Sequence, residues 1–328
     1  MDKAGNTESY KRMSKKTILV LVLAIVAALA MVVYYYRHKL ALMMSQPKVF
    51  LDLFLTATQL KDFTIMSVLT TLAICGVAML IDLSLSGWKN SGLRRLIVNP
   101  SHSSKIDLFC FFLAITRLFE TLQLFFSLGI AYFLSSLFIK YIKLNLFGSF
   151  HHPILQPIII FILFDLKHYL EHRFMHISKF WELHSYHHSA TEFTLFTNAR
   201  GHFLEASIYS FFSVAFFAIT GLPIQHLFWI YFFREVYAYV LHADIKSKFG
   251  WVGRWILMSP PAHKLHHSIK KEDYGRNFGT LFIWWDKLFG TYKEPQGEIQ
   301  IGLYDNIYNE MNFFKGQLLS FKRWINSW

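Results

Sequence analysis

The sequence predicts an all-α protein, a polytopic membrane helical bundle of about six spans that carries a histidine-rich cap on its cytoplasmic face. Three observations lead there. Of the 328 residues, 54% are hydrophobic, only 16% are charged and 34 are Phe, a composition rare among soluble domains. Several apolar runs approach the ~20 residues that a helix needs to cross the hydrocarbon core. The Lys and Arg residues behind the net charge of +12 sit between and beside these runs. A nucleic-acid binder would line them along one polar face; contact with lipid headgroups and membrane topology account for them, and no nucleic-acid partner is expected. Cys75 and Cys110 each lie inside an apolar run and read as small buried residues, not as a disulfide framework or a zinc ribbon.

In chain order, a basic tail over residues 1–16 (Lys3, Lys11, Arg12, Lys15, Lys16) precedes an apolar run from Thr17 to Tyr36. That run is too long for the apolar region of a signal peptide, and Tyr34, Tyr35, Tyr36 and Arg37 after it suit an interfacial belt, so it reads as a retained anchor. Further spans are expected from Thr64 to Leu85, within Ile106–Ile139, and from Ile154 to Leu166. Arg117 and Glu120 interrupt the Ile106–Ile139 stretch, which is one tilted span behind an interfacial helix or a re-entrant pair. Gly221 and Pro223 separate Phe203–Thr220 from Ile224–Leu241, and the short link predicts an antiparallel hairpin. The basic N-terminus, the link with Lys89, Arg94, Arg95 and Lys105, and the segment with Lys246, Lys248 and Arg254 then share one face, which should be cytoplasmic. Lys140 and Lys143 fall on the other face and are outweighed. Beyond Ile301, the residues Ile307, Met311, Phe314, Leu318, Phe321, Ile325 and Trp328 recur at spacings of three and four. They describe an amphipathic helix, either packed on the core by that stripe or lying at the membrane interface.

The histidines carry the chemistry. Ten of the sixteen gather near the ends of the later apolar runs: His168, His172 and His176, then His184, His187 and His188, the isolated His242, and finally His263, His266 and His267. Spacings of three and four bring imidazoles to one face of a helix, where they can converge on a metal. At this histidine frequency chance yields a His-x-x-His-His roughly 0.04 times per chain, and here it occurs twice. One continuous helix would hold His172 and His188 about 24 Å apart, so the chain must turn, with Ser178 and Lys179 a plausible break. The two His-x-x-His-His elements are then expected to face each other across the site. Nine or ten neutral imidazoles exceed the needs of one zinc ion and imply two metals, although imidazole alone does not choose among Fe, Zn and Cu. Arg173 stands where a zinc protease of the His-Glu-x-x-His type would have its Glu.

With these residues in place, the chain resembles the fatty acid hydroxylase and sterol desaturase superfamily of membrane di-iron enzymes. The family's first motifs are matched by Asp165, Tyr169, His172, Arg173, His176, Trp181, His184, His187, His188 and Ser189. Its Arg-x-His-x-x-Glu element is matched by Arg200, His202 and Glu205, its isolated histidine by His242, and its closing signature by Pro260, His263, His266, His267, Ser268, Asn277, Gly279, Trp285, Asp286, Phe289, Gly290 and Thr291. The similarity runs from about Ile154 to Tyr292; Asp244 replaces a commoner Asn and Phe203 a usual Pro, and neither is an expected ligand.

The resemblance implies two iron ions held by His172, His176, His184, His187, His188, His242, His263, His266 and His267, with zinc replacing them on purification as a known hazard. It implies O₂ and two electrons from an external donor, and hydroxylation or desaturation of a lipid substrate: an acyl chain, a sterol, an ether lipid or an amino-acid lipid. It divides the chain into the tail 1–16, an N-terminal transmembrane region 17–150, a catalytic region 151–295 that includes the hairpin 203–241 and the di-metal catalytic cap, and a C-terminal amphipathic segment 296–328. The setting is an integral, multi-pass protein of a bacterial inner membrane or the endoplasmic reticulum. His168, Asp165, His202 and Asn277 are candidates for an extra ligand or for supporting bonds to the ligands, and Glu171 either supports them or faces outward. His38, His102, His151, His152 and His226 are expected to be ordinary histidines. Two other readings compete: a zinc-dependent hydrolase of membrane lipids, and a metal transporter or sensor.

Overall fold

In a computed structural model, the described residues are 60–116, 118–119, 141, 144–147, 149–150, 152–221 and 227–328. All belong to one unit, Pro47–Trp328. The anchor Thr17–Tyr36, Arg117, Glu120, Lys140, Lys143 and His38, His151 and His226 lie outside them. The described residues form eleven α-helices, three short 3-10 turns and no strand: α1 Leu60–Asn90, α2 Gly92–Val98, α3 His102–Ile115, α4 Leu155–Met175, α5 Ser178–His188, α6 Phe203–Thr220, α7 Leu227–His242, α8 Gly250–Trp255, α9 Pro260–His266, α10 Trp284–Leu288 and α11 Phe313–Asn326.

Two of these helices are long and apolar enough to cross a membrane, Val68–Asn90 within α1 and Phe203–Thr220. Gly87, at φ 70° and ψ 159°, breaks α1 before its last turn. α4 has 21 residues, enough to span, but carries Asp165, Lys167, Glu171 and Arg173. The expected hairpin is looser than its link suggests. α6 packs on α4 and α5, whereas α7 packs on α1, on the 3-10 turn Leu195–Ala199 and on α9. The three helices α4, α6 and α7 meet in a small core of Ile160, Phe164 and Ile230 with Phe216 and Phe217 against it.

Helix ends place the cap. α4 stops at Met175 and α5 begins at Ser178, so the turn falls on His176 and Ile177, just ahead of the expected Ser178–Lys179 break. Ser259 caps α9, accepting from the Ala262 N–H, and Pro260 and Pro261 open that helix where no intrahelical N–H is needed. His202 caps α6 through its ring.

The N-terminal region does not stop at the membrane. α3 packs on the turn Leu195–Ala199, and its Asp107, wholly buried, takes Arg200 Nε at 2.5 Å and Thr197 Oγ1 at 2.7 Å. Arg200 also donates to the Ser103 carbonyl and to Ser189 Oγ. These bonds join α3 to the Leu195–Arg200 segment across the expected boundary near residue 150. Cys75 and Cys110 are buried free thiols.

Candidate metal centre

α4, α5, α7 and α9 each deliver histidines from the ends that meet in the cap, and the side chains fall into two groups. His172, His176, His184, His188 and His266 form one; His187, His242, His263 and His267 form the other. Within each group one nitrogen per ring lies within 4.8 Å of all the others. All nine residues named from the sequence are brought together. The spacing explains the division: adjacent helical residues diverge by about 100°, whereas residues four apart nearly align. His184 and His188 thus join the first group and His187 the second, while His263 and His267 join the second and His266 the first. Each His-x-x-His-His gives two rings to one group and one to the other, in opposite senses, and the elements face each other with His188 stacked on His267 at 4.1 Å.

The outer nitrogens decide what the inner ones can do. Nδ1 of His172 donates to the Phe278 carbonyl at 2.7 Å, that of His266 to the Arg276 carbonyl at 2.7 Å, and that of His184 to Glu205 Oε1 at 2.6 Å. In the second group, Nδ1 of His187 donates to the Arg200 carbonyl at 2.8 Å and that of His242 to the Ala238 carbonyl at 2.8 Å. A neutral imidazole has one N–H, so in all five rings Nε2 carries a lone pair. These lone pairs point at each other: Nε2 of His172 is 3.1 Å from that of His184 and 3.0 Å from that of His266, and Nε2 of His187 is 3.2 Å from that of His242. Two buried acceptors at this distance repel unless a cation lies between them. Nitrogens held about 2.0–2.1 Å from one divalent ion, at right angles to one another, are separated by about 3 Å. The inner nitrogens of His176, His188 and His267 have no hydrogen-bond partner either. The donor set fits two metal ions.

Burial keeps the rings neutral, as metal ligands must be. His266 is pushed down to about 3 by desolvation, partly opposed by its bond to the Arg276 carbonyl. Desolvation, followed by the neighbouring imidazoles, holds His263 and His267 well below the usual histidine range.

The supporting candidates are placed differently. Asp165 Oδ2 accepts from the Phe282 N–H (3.1 Å) and Trp285 Nε1 (2.8 Å), so it braces the 282–285 segment and orients no imidazole. Asn277, at φ +55°, ties the Ala262 and Lys293 carbonyls and the Lys293 N–H together, so its side chain binds backbone and not an imidazole. His168 is in neither group; its Nδ1 meets Glu171 Oε2 at 2.8 Å, and Glu171 also pairs with Lys167 Nζ at 3.0 Å. Glu171 is buried, not outward-facing. His202 accepts from the Leu204 N–H through Nδ1 and donates to the Gln317 carbonyl through Nε2, so both its nitrogens are occupied away from the site.

Sequence reasoning left Glu205, Arg200 and Asp107 without roles. Glu205 fixes the tautomer of His184 and takes Tyr209 OH at 2.8 Å, and the Arg200 carbonyl fixes that of His187. Glu205 and Arg200 stood in a recognised motif. Asp107 carried only the signal of a carboxylate inside an apolar run, which is itself a functional flag.

Comparison with known families agrees with this geometry: residues 157–291 match the family described as fatty acid hydroxylase. Those residues are similar to a fatty acid hydroxylase domain. All nine clustered histidines fall within that stretch. Over 159 residues the chain is 29% identical to an alkylglycerol monooxygenase of Caenorhabditis elegans, covering 47% of this chain and 30% of the relative. It is 25% identical over 145 residues to the ornithine lipid hydroxylase OlsE of Rhizobium tropici, covering 43% and 42%. It is 28% identical over 149 residues to an alternative squalene epoxidase of Phaeodactylum tricornutum, covering 44% and 40%. The matched stretch thus spans well under half the length of these curated relatives. No solved structure matches significantly. The matched stretch begins after α3, so Asp107 and Ser103 support it from outside its limits.

Proposed function

We propose that this protein is a membrane-bound non-haem di-iron oxygenase that hydroxylates or desaturates a C–H bond of a lipid, using O₂ and two electrons from an external donor. The observation that carries the reading is the pair of adjacent, all-imidazole groups whose unprotonated Nε2 atoms converge. His172, His176, His184, His188 and His266 would hold one iron, and His187, His242, His263 and His267 the other. Bound iron supplies the reduction of O₂ and the oxidising power that an unactivated C–H bond requires, which acid–base groups and zinc do not. The protein holds five of the nine rings at the outer nitrogen, four by a backbone carbonyl and His184 by Glu205, and excludes water by burying the site.

The relatives' names point to lipids of different headgroups, an alkylglycerol, an ornithine lipid and squalene, which supports the lipid class and leaves the reaction at a C–H or C=C carbon. A hydrolytic zinc site is less well supported: it needs a carboxylate base facing the metal-bound water. Glu205, the carboxylate that touches a ligand, is committed to the outer nitrogen of His184. About six spans with a cytoplasmic cap complete the reading, α4 and α7 crossing beside the two apolar helices, with Asp165, Lys167 and Glu171 of α4 buried against protein and Arg173 exposed in its last turn. Protein purified without chelator or added zinc should contain about two irons per chain. Lipid extracts of expressing cells should show a product heavier by one oxygen, labelled from ¹⁸O₂, or lighter by two hydrogens. One tightly bound zinc with full turnover under anaerobic conditions would sink the proposal.

A further inference from the structure

We propose that α11 lies on the surface of the bilayer, with Phe314, Leu318, Ile325 and Trp328 at the boundary between headgroups and acyl chains. The inference rests on the membrane reading above and adds a contact that the spans do not supply. It starts from an inversion. The apolar stripe that the sequence shows in this helix is not the face that packs. Phe314, Leu318, Ile325 and Trp328 are 61%, 67%, 51% and 68% exposed, while Phe313, Gly316, Gln317 and Ser320 are the buried residues on the helix, which packs on α5 and α3. Gly316 permits the close approach, since a Cβ there would stand 2.6 Å from Tyr186 Cε2. A helix on a soluble protein turns its apolar stripe inward. This one turns Phe313 inward with small and polar residues and leaves most of the stripe out, flanked by the exposed Lys315 and Lys322.

Its depth follows from Gln317. The side-chain Oε1 accepts from the Phe203 N–H at 3.1 Å, Nε2 donates to the Gly201 carbonyl at 2.8 Å, and the Gln317 carbonyl accepts from His202 Nε2 at 3.0 Å. These bonds tie the middle of α11 to the first residues of Phe203–Thr220, one of the two helices apolar enough to span. The helix is therefore fixed where that span enters the hydrocarbon. The stripe also continues beyond α11. Phe314 meets Phe109 at 6.2 Å, and Leu108, Phe109 and Phe112 are exposed on α3. The continuity with outward apolar faces at a span's end favours lipid over a second protein copy. Lysines beside the stripe suit anionic headgroups, and Trp328, with Lys179 over its ring at 4.0 Å, suits the interface.

The test uses the full-length protein in vesicles of phosphatidylcholine and phosphatidylglycerol, with single nitroxide labels at L318C, S210C or E310C. Cys75 and Cys110 are buried and free, and are replaced by Ala. Collision with dissolved O₂ is compared with collision with a water-soluble nickel chelate. Residue 210 is exposed within the apolar helix α6, and residue 310 is exposed on the cap. The ratio of O₂ to nickel collisions at 318 should exceed that at 310 several-fold and fall below that at 210. Equality of 318 and 310, with 210 deep, would put α11 in water and overturn the proposal while the membrane reading stands. Low collision with both reagents at 318, in vesicles and in detergent alike, would mean that protein covers the stripe and overturn it equally. A label at 210 that behaves like 310 would remove the membrane reading itself and this proposal with it.

Discussion

His187 and His188 are adjacent, yet they serve different groups, and the reason lies in what each ring's outer nitrogen does as much as in helical geometry. His187 is aimed by the Arg200 carbonyl, and Arg200 is held by the buried Asp107. Replacing Asp107 by Ala leaves a guanidinium buried without its partner, and truncating one member of a buried pair costs about 3–5 kcal/mol. D107A should therefore accumulate poorly or melt early, and the double variant D107L/R200M, which removes both charges, should recover part of the loss in thermal unfolding. Glu205 acts on His184 in the same way. E205Q keeps an acceptor but loses the charge, and should weaken iron binding about 10–100-fold with little change in accumulation. By contrast H266A removes a ring from the five-histidine group and should lose iron and turnover together. H102A removes only an exposed bond to the Met311 carbonyl and should keep both. The convergence of the nine histidines was legible because spacing on a helix encodes direction. The roles of Asp165 and Asn277 were not, because a motif residue can brace a backbone loop as well as an imidazole, and only the hydrogen-bond partners distinguish the two.

Among the elements, α11 shows where periodicity misleads. Spacings of three and four located a helix in the right segment, with its start at Phe313, but the apolar stripe was read as one that could pack on the core. The buried face is set by Phe313 with Gly316, Gln317 and Ser320 instead, and the last three leave no hydrophobic signal. The same applies to the α6–α7 pair: a short link predicts adjacency, but the partners of each helix depend on residues far away in sequence, such as those of α1. G316V tests the packing of α11 directly. With a Cβ already too close to Tyr186, the larger side chain must push the helix from α5 at a cost of about 1–3 kcal/mol. Thermal stability should fall, and because His184, His187 and His188 sit on α5, iron retention should fall in parallel. A G316V protein with unchanged melting would show that α11 is held only by its ends and by Gln317.

For the whole molecule, the proposed direction of the chain through the membrane rests on α4. Its 21 residues rise about 31 Å at 1.5 Å per residue, close to the thickness of the hydrocarbon core. Its C-terminal end carries His172 and leads to His176, so a crossing α4 would put the cap on one side and Ile154, 66% exposed, on the other. The charges along the helix do not prevent this, because Asp165, Lys167 and Glu171 are buried against protein and not against lipid. Arg95, on the link expected to be cytoplasmic, pairs with Asp244 at 2.9 Å, just beyond His242, which places the basic link and the metal groups on the same side. Basic loops favour the cytoplasm, so the cap should face it. The check is single-cysteine labelling in intact cells, again with Cys75 and Cys110 replaced. E298C, exposed on the cap, should resist a membrane-impermeant maleimide until the cells are opened, whereas I154C should react from outside. If E298C reacts in intact cells and I154C does not, the bundle is inverted. If both react from one side, α4 does not cross, and its buried charges then belong to a helix that lies within the cap.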